Sequence, residues 1–136
     1  MIELLITLLI ASMLLTLSMA GYGRFIERGQ RQSAQSVLVE LVAQIQQLKA
    51  NRPNGVLTET LDPKRLITQP LEGYRLSVLP NPIGAATEFF VVAEPTASGR
   101  QAGKGALTLT HIGQGCWHKN QDRVTSAVCD AASSVW

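Results

Sequence analysis

The chain has 136 residues, a formal net charge of +2, 16% charged residues and 5% aromatics. That length holds one domain of ordinary size and leaves no room for a second large core. The charge balance is too mild to demand a nucleic-acid partner, and no run of five like charges forms an acidic or basic tail.

Residues 1–23, MIELLITLLIASMLLTLSMAGYG, carry a single charged side chain, Glu3. A helix needs about 20 apolar residues to span a bilayer, and this stretch suffices. Arg24, Arg28 and Arg31 follow it and read as the flank at the membrane surface. A secretory signal has its cations before the apolar run and a small-residue cleavage site after it. Met1-Ile2-Glu3 offers no basic start, so either a leader has been removed or the biological start lies elsewhere. Gly21 and Gly23 each cost up to ~1 kcal/mol in a helix interior. Together they predict a bend or local melting around Ser18–Gly23.

Residues 24–50 turn amphipathic. Ala34, Val37, Leu38, Leu41, Ile45 and Leu48 fall on one stripe at three- and four-residue steps, with Arg28, Gln32, Gln35, Gln46 and Lys49 elsewhere. Asn51, Pro53, Asn54 and Gly55 end the pattern. The expectation is one long helix, with an apolar front half and an amphipathic back half that packs on a sheet.

Residues 51–73 read as a connector broken by Pro53, Pro63, Pro70 and Gly73, with a short helical turn over Lys64–Ile67 behind Asp62-Pro63. Strands are expected over Tyr74–Leu79, Glu88–Glu94 and Ala106–Ile112, with a short fourth at Gly115–His118. Asn81-Pro82 with Gly84, and Ser98–Gly105, are the loops between them. The tail, Lys119–Trp136, reads as loop, with Trp136 covering apolar surface or a subunit contact. A helix followed by an antiparallel meander is an α+β arrangement. The expected units are a helix segment, 1–23, and a globular domain, 24–136, that includes the helix's second half.

Few motifs point to chemistry. Behind a membrane span, Cys116 and Cys129 favour a disulfide in an oxidising compartment, contributing on the order of 3 kcal/mol. Zinc on Cys116, His118 and Cys129 lacks the usual ligand spacing and a fourth ligand. Gly99-Arg-Gln-Ala-Gly-Lys-Gly105 is one residue short of a phosphate loop, ends on Gly105 in place of Ser or Thr, and reads as a flexible loop. His111 and His118 have no matched acid or nucleophile, and there is no G-x-S-x-G. No active site, cofactor or metal site is read. Lys64, Arg65, Arg75, Arg100, Lys104, Lys119 and Arg123 read as solvated surface, the alternative being a DNA-contacting patch.

Glu3 has two readings. It reaches the headgroups as an ordinary terminal acid, or it forms an ion pair with the N-terminal amine of a neighbouring subunit. In hydrocarbon such a pair is worth far more than in water.

The run Met1-Ile2-Glu3-Leu4-Leu5-Ile6 resembles the start of a type IV pilin just after leader removal. Tyr22, Arg24 and Arg28 resemble that family's exit from the membrane segment, and Gly105-Ala-Leu-Thr-Leu-Thr with Cys116-Trp117 is similar to minor pilins. The resemblance implies a long helix packed on a four-stranded antiparallel sheet, and a Cys116–Cys129 pair closing a C-terminal loop. It implies that Glu3 is the assembly glutamate. It also implies a structural subunit without catalysis, single-pass in a Gram-negative inner membrane and then part of an extracellular filament. The partners would be other pilin subunits and the pilus assembly machinery, in adhesion, motility or DNA uptake. Family members usually have two further residues before the position of Met1, so the resemblance implies that the mature, N-methylated terminus lies upstream. Many have proline where this chain has Ala20. A type II secretion pseudopilin and a DNA-binding competence pilin are the alternatives.

Overall fold

The computed structural model describes residues 2–51, 62–68, 71–81, 88–131 and 133–136. Helix α1, Ile2–Asn51, runs unbroken for 50 residues, which is ~75 Å at ~1.5 Å per residue. The local melting expected as one outcome at Ser18–Gly23 does not occur: the backbone stays helical through Gly21 and Gly23. Two glycines cost about 2 kcal/mol, but residues 2–51 contain no proline. Every backbone N–H therefore remains available to the helical ladder.

The second half of α1 positions everything else. Ala34, Val37, Leu38, Leu41, Val42 and Ile45 are buried and form the stripe that meets the sheet. Leu48, expected on that stripe, is exposed, and Val42 takes part instead. A 3-10 turn at Pro63–Arg65 replaces the slightly later turn expected over Lys64–Ile67. The helix stop at Pro53–Gly55, the breaker Pro70 and the Pro82–Gly84 turn lie outside the described residues, as does Met1.

The sheet has five antiparallel strands in the order β1-β2-β3-β4-β5. They are β1 Tyr74–Pro80, β2 Phe89–Pro95, β3 Ala106–Thr110, β4 Gly115–His118 and β5 Ser134–Val135. Four strands were expected. The fifth is a two-residue edge pairing Val135 with Cys116 and Ser134 with Trp117, too short to show a period-2 pattern. β3 is likewise shorter than expected, ending at Thr110, where Gly113 at φ +87° helps turn the chain.

The sheet is buried on both faces. Phe89, Val91, Ala93, Leu107 and Leu109 face α1. Phe90, Val92 and Ala106 face the other way and pack under Val124, with Ala127 beside them. The tail is thus a second cover for the sheet. The unbroken run Phe89-Phe90-Val91-Val92 suits a strand covered on both sides.

Candidate functional site

Two regions carry the features that sequence alone left open: the front half of α1, and the end of the domain where the C-terminal tail, the β2–β3 loop and α1 meet.

The front half touches nothing else in the described chain. From Ile2 to Leu15 its large aliphatic side chains are between 52% and 73% exposed. It is long and apolar enough to cross a membrane, with mean hydropathy 2.2 over its most apolar window. The hydroxyls of Thr7, Ser12 and Thr16 are turned inward. Thr7 donates to the Leu4 carbonyl at 3.0 Å, Ser12 to Leu9 at 2.8 Å and Thr16 to Met13 at 2.8 Å. Each proton is thereby satisfied within the helix, as a segment in hydrocarbon requires. Glu3 is the exception. It is exposed, sits in the first turn where the helix dipole favours an anion, and makes no hydrogen bond or ion pair among the described residues.

Besides the β4–β5 pairing and the packing of Val124, three side-chain contacts tie the tail down. Cys116 on β4 is joined to Cys129, their Cα atoms 5.7 Å apart; alternation along β4 turns Cys116 toward the tail. Paired with each other, the two sulfurs do not form a zinc site with His118, and the described residues hold no group of three metal-ligating side chains. His118, buried on the same face, lies between Thr108 Oγ1 at 3.0 Å from Nε2 and Ser133 Oγ at 3.2 Å from Nδ1. Ser133 in turn donates to Asp130. A serine beside a histidine suggests a nucleophile pair, but the far nitrogen meets a neutral threonine and the ring is sealed under the tail. The arrangement ties Ser133 to the sheet. Thirdly, Trp136 packs on the α1-side core and lies against Gly115, where a Cβ would stand 2.6 Å from the indole.

Burial lowers the His118 pKa, and Asp130 partly opposes this. A histidine whose folded pKa is depressed binds its proton more readily in the unfolded chain. Its contribution to stability is therefore complete above the unfolded value of about 6.5. It declines as pH falls from there through the lower folded pKa. Melting temperatures taken between neutral and mildly acidic pH are expected to fall in wild type, and to lose the part of that slope above the carboxylate range in His118→Gln. Equal slopes would contradict this tie.

The glycine-rich segment read as a flexible loop is pinned. Gln101 is fully buried. Its Nε2 donates to the Glu27 carbonyl at 2.9 Å and to Gln30 Oε1 at 3.2 Å, and its Oε1 accepts from Tyr74 OH at 3.1 Å. Burial raises the Tyr74 pKa, with Arg31 opposing. The Gly103 and Gly105 N–H groups donate to the Asp122 carboxylate at 2.7 and 3.0 Å. The donors a phosphate loop would offer are thus occupied by the chain's own acid. Alongside, the Arg31 guanidinium lies 3.7 Å over the Trp117 ring. Trp117 Nε1 donates to the Lys104 carbonyl at 3.0 Å, and Lys104 Nζ pairs with Glu27 at 3.6 Å.

The sequence gives Gln101 no role, marks Tyr74 only as a strand start and marks Arg31 only as part of the basic flank. Gln101 meets Gln30 71 residues away and Tyr74 27 residues away, and Arg31 meets Trp117 on a distant strand; no local pattern marks such pairs. His111, left without a role, lies at the other end of the sheet. Its carbonyl accepts from Gln46 Nε2 at 2.6 Å, and its ring stands 6.0 Å from Phe89.

No family model, no curated protein and no solved structure matches this chain.

Proposed function

We propose that this chain is a non-catalytic structural subunit of a type IV pilus, a minor pilin, held as a single-span protein of the inner membrane and then extracted into a helical filament. The observation that carries the reading is the division of one continuous helix. Its second half is stitched into the α+β domain, while its first half stands free, apolar on every side, with Glu3 as its single charge.

Such a half-helix is unstable in water, because exposed aliphatic surface costs about 25 cal/mol per Å². Lipid covers it, and so do the corresponding halves of other copies. A bundle of these halves places the domains outside and the helices at the centre. Glu3 then lies in a low-dielectric core, where an incoming subunit is held in register by pairing it with a neighbour's terminal amine. The contact joins different surfaces of the same chain, so it is heterologous and builds an open helical assembly.

A type II secretion pseudopilin is the second reading. The disulfide-closed tail, with its own strand β5, favours the pilus, since the resemblance associates that closure with pilins. A photo-crosslinking amino acid at Leu8, which is 66% exposed, tests self-association in cells. Crosslinked species larger than the monomer, containing this chain and neighbouring subunits, are expected on irradiation. Monomer alone would count against the proposal.

A further inference from the structure

Three of the cations that look scattered in sequence, Arg100, Lys104 and Lys119, lie at one end of the domain beside the arginines that follow the apolar segment. Gln101 binds the Glu27 carbonyl and Gln30, which holds the β2–β3 loop against the helical turn just beyond the apolar segment. Arg100 and Lys104 come with that loop. Trp117 brings the end of β4 to the same place through its contact with Arg31, and Lys119 Nζ stands 5.1 Å from the Trp117 ring. Arg24, Arg28, Arg100, Lys104 and Lys119 are exposed, and Arg31 is half-buried. Arg31 follows Gly23 by ~12 Å along the axis, at ~1.5 Å per residue.

The acids of this end are largely engaged. Glu27 pairs with Lys104, Asp122 accepts from two backbone N–H groups and Asp130 accepts from Ser133; Glu72 is exposed. On the helix itself, Tyr22 and Phe25 are 66% and 75% exposed. Aromatics at this level, between an apolar span and a basic rim, suit the boundary between acyl chains and headgroups.

We propose that this basic rim is a docking surface for anionic phospholipid headgroups, which seats the domain on the bilayer while the subunit waits in the membrane. The inference rests on residues 2–23 spanning that bilayer. Lipid is favoured over nucleic acid because the rim surrounds the exit of the apolar helix, so an inserted chain holds these cations within about one Debye length, ~8 Å, of the headgroup plane or little beyond it. The faces of Trp117 are approached by Arg31 and Lys119 and do not offer a free platform for base stacking.

The rim's own fluorophore tests this. The chain has two tryptophans, so Trp136→Phe leaves Trp117 alone. The full chain is placed in lipid nanodiscs bearing a headgroup nitroxide, made of phosphatidylcholine with or without phosphatidylglycerol. Quenching of Trp117 is expected to be several-fold stronger in the anionic discs. The difference should vanish at high salt and in the combined Arg100→Gln, Lys104→Gln, Lys119→Gln variant, whose changes are all on exposed side chains. Equal quenching in both discs, with the chain co-eluting with them, would overturn the rim and leave the membrane span standing. Elution apart from the discs would overturn both. A response of Trp117 to duplex DNA and not to anionic discs would overturn lipid as the partner.

Discussion

Gly105→Ala is expected to remove about 4 kcal/mol of stability, combining ~1–2 kcal/mol for a left-handed residue with ~1–3 kcal/mol for overpacking. Gly105 has φ +96°, and a Cβ there would lie 1.9 Å from the His118 carbonyl oxygen. That oxygen belongs to backbone held on both sides. His118 pairs with Ala106 across β3–β4, and its carbonyl accepts from the Gln121 N–H at 3.2 Å. Relief would have to come from moving the β4 end, the Asp122 cradle and the His118 tie together. Gly103 is the control. Its φ is +73°, yet a Cβ there meets nothing within 4 Å, so Gly103→Ala should cost only ~1–2 kcal/mol, the backbone part alone. Urea unfolding of the full chain in mild detergent, followed by tryptophan fluorescence, compares the two. Equal midpoints would show that the close approach at His118 is not the determining contact.

The second large effect is on assembly. Glu3→Ala should leave the amount of subunit in the membrane unchanged or raised, because Glu3 lies in the first turn, away from the centre of the span where a carboxylate costs ~2.5–3.5 kcal/mol on insertion scales. Removing it leaves the monomer at least as comfortable in lipid and takes away the charge that an incoming subunit would pair. A contact worth only ~1.4 kcal/mol changes an equilibrium tenfold. The ratio of filament to membrane subunit, read by immunoblot after shearing, should therefore fall at least about tenfold. Glu3→Gln keeps the shape and loses the charge, so it should behave like Glu3→Ala. A normal ratio in either variant would remove Glu3 from the account.

Much of the architecture was legible because it is periodic. The unbroken apolar run to Gly23 and the three- and four-residue stripe from Ala34 to Ile45 announce the two halves of α1. The alternation of Leu107 and Leu109 with Thr108 and Thr110 announces β3. What escaped lacks periodicity. Gly21 and Gly23 signalled a break by propensity, but propensity is a weak prior against a long apolar helix with no proline. β5 is two residues long and is held by the disulfide and by the packing of Trp136, not by a strand pattern. The tail's role as second cover could have been suspected from Phe89-Phe90-Val91-Val92, since a strand apolar on both faces needs two covers. The docking of Gln101 on Glu27 and Gln30 has no sequence signal. Glu3 was conspicuous from the start as the lone charge in an apolar run.

The most direct measurement is immunogold labelling of sheared cell-surface filaments with an antibody raised against the domain. The account predicts gold on the filaments in wild-type cells, and gold confined to the inner membrane in the Glu3→Ala strain. Filaments free of label in wild type, or labelled equally in both strains, would contradict it.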